Sequence, residues 1–318
     1  MNAPAASRRW PWRRWARALR RWWLRGWQRW RAARGAADAI PERLWQQVRQ
    51  ELPWLPALDA DEEQRLRALC AVFLARKEFS GAHGLRVDDR MALLVAVQAC
   101  LPLRHRGLAA LAWYDDFVGI VLYPADVVAA RRVRDDSGVV HEYTEALAGE
   151  AMQGGPIVLA WPRVSQPTRA QTDDRGDSDG ADEPVGHNLV IHEFAHAIDM
   201  HGKPLGQPPD GCPLLPADML QPNPAAARQR WRDVLHAALQ EHRRRVALHE
   251  RFGGPAPWLD AYAAESPAEF FAVACEAYCV DRARLAAEHP ALVAQLDAFF
   301  AHPPAHAGHP ACRAPVGG

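Results

Sequence analysis

The stretch Asn188-Leu-Val-Ile-His192-Glu193-Phe-Ala-His196-Ala-Ile-Asp199-Met200 decides how the chain is read. Apolar residues fill it so densely that a helix formed here is buried on most sides. In a helix, positions i and i+4 share a face one turn apart, so His192 and His196 can aim two imidazoles at one point. The carboxylate of Glu193 falls beside that point. Two histidines and a Glu inside an apolar helix are costly unless they are satisfied together, and one metal ion satisfies all three. The donors suit Zn2+, one per chain, which takes a third protein ligand and keeps a fourth position for water. Glu193 is then placed to take a proton from that water.

The third ligand is not adjacent. The extension HExxHxxGxxH fails, because Asp199 stands at the Gly position and Gly202 at the third His. A downstream carboxylate is the remaining source. In WLDAYAAESPAEFFAVACEAYCVD (258–281) the candidates are Asp260, Glu265, Glu269 and Glu276, and spacing leaves all four open. Glu269 and Glu276 are seven apart and share a helix face. Tyr262, seven before Glu269, joins that face if one helix spans 260–280. Alternatively Pro267 opens a new helix with Ser266 as its cap, which puts Glu269 in the first turn. Asp199 is expected to orient a ligand imidazole, since such rings usually donate their other N–H to a carboxylate or carbonyl.

Outward from these blocks, apolar periodicity predicts helices over 41–51, 61–77, 88–101 and 226–250. Val118–Tyr123 and Pro156–Trp161 read as short β-branched strands bounded by Gly or Pro. Pro156–Trp161 is expected to be an edge strand able to pair with an extended peptide. The fold class is therefore α+β and mostly helical, with a small antiparallel or mixed sheet packed on the His192–His196 helix. Residues 165–186 are polar, acidic and Gly/Pro-punctuated, a surface loop, and 201–225 form a Pro-rich irregular connection.

The matching segments FLARKEF (73–79), VLYPADVV (121–128), GEAMQGGPIVLAW (149–161), NLVIHEFAHAIDM (188–200) and DAYAAESPAEFFAVACEAY (260–278) resemble the Mlc titration factor A family of zinc metallopeptidases, which is gluzincin-like. The resemblance covers roughly residues 40–300. It implies a zincin-like fold and zinc ligands His192, His196 and Glu269. It also implies Glu193 as general base and Tyr262 as hydrogen-bond donor to the oxyanion. Aminopeptidase-like hydrolysis of small peptides is the activity it implies. The family's name further implies capture of a transcriptional repressor as an alternative function. The segments 165–186 and 203–225 look expanded relative to that pattern.

Composition adds a second theme. The chain has 318 residues, and its 38 basic and 38 acidic side chains give a net charge of zero. Residues 1–34, however, hold eleven Arg and no acid, so residues 35–318 carry a net −11. Seven of the 13 Trp also lie in that arm. From Trp15, the residues Leu19, Trp22, Trp23, Trp27 and Trp30 recur at helical spacing with arginines between them. Such a helix can lie on an anionic membrane surface or hold an acidic partner. No specific nucleic-acid site is expected. The domain reading is an arm over 1–34, a metallopeptidase body over 35–303 and a disordered tail over 304–318. The arginines interrupt every apolar stretch of the arm, so neither a signal peptide nor a membrane span is expected, and the cytoplasm is the default compartment. The six scattered Cys form no CxxC pair and are expected to be free thiols.

Overall fold

The computed structural model describes residues 39–134, 140–147, 149–165 and 188–303. The arm over 1–34, the acidic loop apart from Ser165 and the tail over 304–318 lie outside the described residues. Helix α1 (Glu42–Glu51) buries Trp45 and Val48, and α2 (Ala60–Arg76) buries Leu66, Leu69, Cys70, Phe73 and Leu74. A reciprocal cap starts α2: Glu62 N–H donates to the Asp59 carboxylate at 2.7 Å, and Asp59 N–H to Glu62 at 3.2 Å. Strand β1 (Glu78–Gly81) follows. Helix α3 (Asp89–Cys100), capped by Asp88, is buried at every residue from Met91 onward and forms the centre of the core.

Four strands make a mixed sheet in the order β1, β2 (Gly119–Tyr123), β6 (Ile157–Ala160), β5 (Gly149–Ala151). β1, β2 and β6 run parallel, and β5 runs antiparallel to β6. Between β2 and β5 the chain makes a separate antiparallel ribbon, β3 (Val127–Arg134) and β4 (Val140–Leu147). The short helix α4 (Trp161–Ser165) leaves the sheet. Pro156–Trp161 is thus not an edge. β5 returns through a tight turn, closed by the Gly155 N–H on the Met152 carbonyl at 2.9 Å, and takes up the outer side of β6. Among the described residues the edge strands of this sheet are β1 and β5, and of the two it is β5 that packs on the helix carrying His192 and His196.

The central helix α5 (Leu189–Met200) packs on β5, β6, α3 and α7, and all twelve of its residues are buried. Asn188 caps it, accepting from the Ile191 N–H at 2.9 Å. Phe194 sits in an aromatic nest with ring centroids of Phe73, Tyr114 and Phe117 at 5.6, 4.9 and 5.8 Å. Burying a ring of this size contributes about 1.5–3 kcal/mol and fixes the rotation of α5 about its axis. Helix α6 (Pro224–Phe252) is long and amphipathic; α7 (Pro267–Val280), α8 (Arg282–Glu288) and α9 (Pro290–Phe300) complete the helical layer. One helix does not run through 260–280. A 3-10 turn over Ala261–Ala264 stops at Glu265, and Pro267 opens α7 with Ser266 Oγ accepting from the Glu269 N–H at 3.1 Å. Among the described residues, no helix is long and apolar enough to cross a membrane. The five described cysteines are free thiols.

Candidate metal centre

Helix α5 offers His192 and His196 from one face, and the first turn of α7 offers Glu269 to the same point. His192 Nε2 and Glu269 Oε2 are 3.1 Å apart, His196 Nε2 and Glu269 Oε2 3.2 Å, and the two Nε2 atoms 3.2 Å. Donor atoms held tetrahedrally about 2.0–2.1 Å from one centre lie ~3.3–3.4 Å from each other, so this triangle fits a single ion. The chemistry fits as well. His192 donates its Nδ1 proton to Glu276 Oε1 at 2.7 Å, which leaves a lone pair on Nε2. That lone pair, the Nε2 of His196 and a carboxylate oxygen converge where only a proton or a cation can reconcile them. Of the described residues, only this cluster could hold a metal.

The charges respond strongly to burial. Burial opposes a charge on His192, but hydrogen bonds to Glu269 and Glu276 outweigh it and hold its pKa well above 6.5 in the ion-free site. Glu269 is also penalised by burial, yet its two imidazole partners bring its pKa down to about 2. Burial pushes Glu193 up to about 7, with His192 and His196 pulling the other way. A carboxylate poised near neutrality beside the three donors can exchange a proton at physiological pH.

The surroundings assign the other candidates. Glu276 is 1% exposed and is not a donor in the triangle; its second oxygen accepts the backbone N–H of Asn188, so it ties the cap of α5 to the ring of His192. Glu265 is exposed, with its carbonyl bonded to Arg243, and the Asp260 carboxylate caps the Tyr262 N–H at 2.9 Å. Tyr262 lies 6.2 Å ring to ring from His192, on the short turn that precedes α7. Asp199 does not orient a histidine. Its carboxylate is taken by Lys203 and the Gly211 N–H, because the one-turn step past His196 carries it beyond both rings. Gly149 on the edge strand β5 is a feature that sequence reasoning missed. A Cβ there would stand 2.6 Å from Glu193 Oε1 and 2.8 Å from Leu189 Cδ1, so only Gly lets β5 approach the Glu193 side chain. The sequence signal was a Gly at the start of a short strand.

This fold, with two imidazoles one helical turn apart and a carboxylate from a second helix, defines a metallopeptidase type. Residues 25–301 match the family described as glucose-regulated metallo-peptidase M90, and the chain belongs to that family. It is similar to Mlc titration factor A of Escherichia fergusonii, with 32% identity over 253 residues, 80% of this chain and 84% of that protein. The Mlc titration factor A of Salmonella arizonae is 32% identical over 253 residues, covering 80% and 88%. That of Enterobacter sp. (strain 638) is 30% identical over 275 residues, covering 86% and 91%.

Proposed function

We propose that the chain is a zinc peptidase whose ion is held by His192, His196 and Glu269, with Glu193 as general base. The observation that carries this reading is the donor triangle with the buried, near-neutral carboxylate of Glu193 next to it. A donor set of two His and one Glu without Cys is that of a site with an open position, unlike closed structural sites. Bound zinc would supply an acidified water and a Lewis acid for the scissile carbonyl. Glu193 accepts the proton of the attacking water and returns it to the leaving amine. The Tyr262 hydroxyl donates to the developing oxyanion from the turn beside His192. An extended peptide adds to the outer edge of β5, whose Gly149 brings the backbone against Glu193. Small peptides cleaved from the N-terminus are the substrates that the family resemblance favours. The body over 35–303 carries this chemistry.

Glu193→Gln is expected to retain zinc and lose hydrolysis of chromogenic peptides by 100-fold or more, about the contribution of general base catalysis. Glu269→Ala is expected to lose zinc, and Tyr262→Phe to slow turnover with zinc retained. Normal cleavage by Glu193→Gln sinks the mechanism.

A second reading follows from the relatives' name, Mlc titration factor A. In that reading the chain captures a transcriptional repressor and the ion site is secondary. A cellular effect that survives Glu193→Gln would favour it. The Arg/Trp arm would hold either protein at an anionic membrane surface or an acidic partner, since its eleven arginines stand on no acidic residue of their own segment. Deleting residues 1–34 is expected to change localisation and leave peptide hydrolysis intact; loss of hydrolysis in a folded protein would refute that division.

A further inference from the structure

Asp199 lies three residues past His196 on the same face of α5. Its side chain is 0% exposed. One carboxylate oxygen accepts from Lys203 Nζ at 2.7 Å, and the other accepts the backbone N–H of Gly211 at 2.7 Å. Gly211 is in turn held by Trp231, whose Nε1 donates to its carbonyl at 2.9 Å. Gly211 has φ +74°, and its α-carbon faces the start of α7. A Cβ there would stand 2.5 Å from the Pro267 carbonyl oxygen and 2.6 Å from Leu235 Cδ2. Pro267 is the first residue of α7, and Glu269 sits in that first turn. An unbroken set of contacts therefore runs from the end of the histidine helix, through Asp199 and Gly211, to the turn that carries the third donor.

We propose that Asp199 is a positioning residue for Glu269, holding Gly211 as the spacer that sets how far the first turn of α7 stands from His192 and His196. This rests on the reading of Glu269 as a metal ligand. The spacer leaves no room for a side chain, because a Cβ on Gly211 would already collide with the Pro267 carbonyl oxygen. A preorganised site tolerates displacements of about 0.5 Å, so a loosened Gly211 takes Glu269 out of register. Asp199 suits the task because both of its oxygens accept. An Asn has one acceptor, and the ammonium of Lys203 claims it more strongly than a neutral N–H does. The amide NH2 of the Asn then meets the Gly211 N–H, donor against donor, and the spacer is released.

The test measures zinc affinity by competition with a chromogenic chelator, and amide exchange at Gly211 in the zinc-free protein. Asp199→Asn is expected to weaken zinc binding 10- to 100-fold, the range for groups that orient ligands from outside the coordination sphere, and to speed exchange at Gly211. Adding Lys203→Met to Asp199→Asn removes the competing donor, so the Asn oxygen returns to Gly211 and affinity recovers to within about threefold of the parent. Zinc held within twofold by Asp199→Asn, or no recovery in the double variant, overturns the proposal. Glu269→Ala is run alongside. If it binds zinc like the parent, the ligand reading fails instead, independently of Asp199. If Asp199→Asn yields too little folded protein, Trp231→Phe, which removes the hydrogen bond to the Gly211 carbonyl along with part of a buried ring packed on Phe271 and Phe299, is read in the same way once circular dichroism shows the helices intact. Weakened zinc binding then supports the proposal, and unchanged binding overturns it.

Discussion

Glu276→Gln keeps the shape of a buried side chain and removes one acceptor from a place that needs two. In the parent, one carboxylate oxygen takes the His192 Nδ1 proton at 2.7 Å and the other takes the Asn188 N–H. The Asn188 N–H cannot turn away, because it opens α5 and Asn188 is itself fixed to Gln98 at 2.8 Å. The Gln oxygen therefore stays with Asn188, and its NH2 faces His192. The imidazole must then give up its Nδ1 proton, which moves to Nε2 and occupies the lone pair meant for the ion. Loss of a hydrogen bond to a charged group costs about 1.5–3 kcal/mol. At about 1.4 kcal/mol per tenfold, that is a 10- to 100-fold weaker hold on zinc. The assay is chelator competition at pH 7.5, with circular dichroism to confirm that the helices persist. Zinc affinity within twofold of the parent, in a folded Glu276→Gln protein, would refute the argument that this carboxylate sets the His192 tautomer.

Gly149→Ala places a methyl 2.6 Å from Glu193 Oε1, so β5 or Glu193 must give way. Overpacking of this kind costs about 1–3 kcal/mol, and zinc content is expected to hold while turnover falls; an unchanged rate would show that β5 need not sit so close. His105 supplies a pH window outside the metal centre. Burial, with Arg104, His302 and Arg65 nearby, lowers its pKa to about 4, so the folded protein keeps it neutral. The unfolded chain takes up that proton near 6.5, so stability falls as pH drops from about 6.5 to about 4 and is intact above that window. The upper bound is about 3 kcal/mol before solvent screening. Urea midpoints of chelated protein at pH 5 and 7 should differ less in His105→Gln than in the parent; equal slopes would contradict the assignment.

The parts of this structure that could be read from the chain are those governed by local rules. The apolar density of 188–200 and the β-branched runs each specify their element without help from elsewhere. The site split along the same line. The positions of His192, Glu193 and His196 follow from helical spacing, whereas the roles of Glu269 and Glu276 depend on how α7 docks, which no spacing encodes. Both carboxylates share one face of α7, and only tertiary packing puts one at the donor triangle and the other behind His192. Asp199 misled for the same reason, because its partner Gly211 lies in an irregular connection. The edge role of β5 was hidden since a strand of three residues has too little alternation to register.

The donors come from distant parts of the chain: His196 and Glu269 are 73 residues apart in sequence. An unfolded or half-made chain can offer at most the weak pair on α5, so tight binding of an ion by these donors would begin only when α7 has docked. Ion binding and folding then form one equilibrium, in which each stabilises the other. If the proposed hydrolysis holds, this coupling is a safeguard for the proteins around it. Nascent, nicked or misfolded copies would release the ion and with it the proposed capacity to cut, so hydrolytic competence would be confined to molecules that have passed the test of assembly.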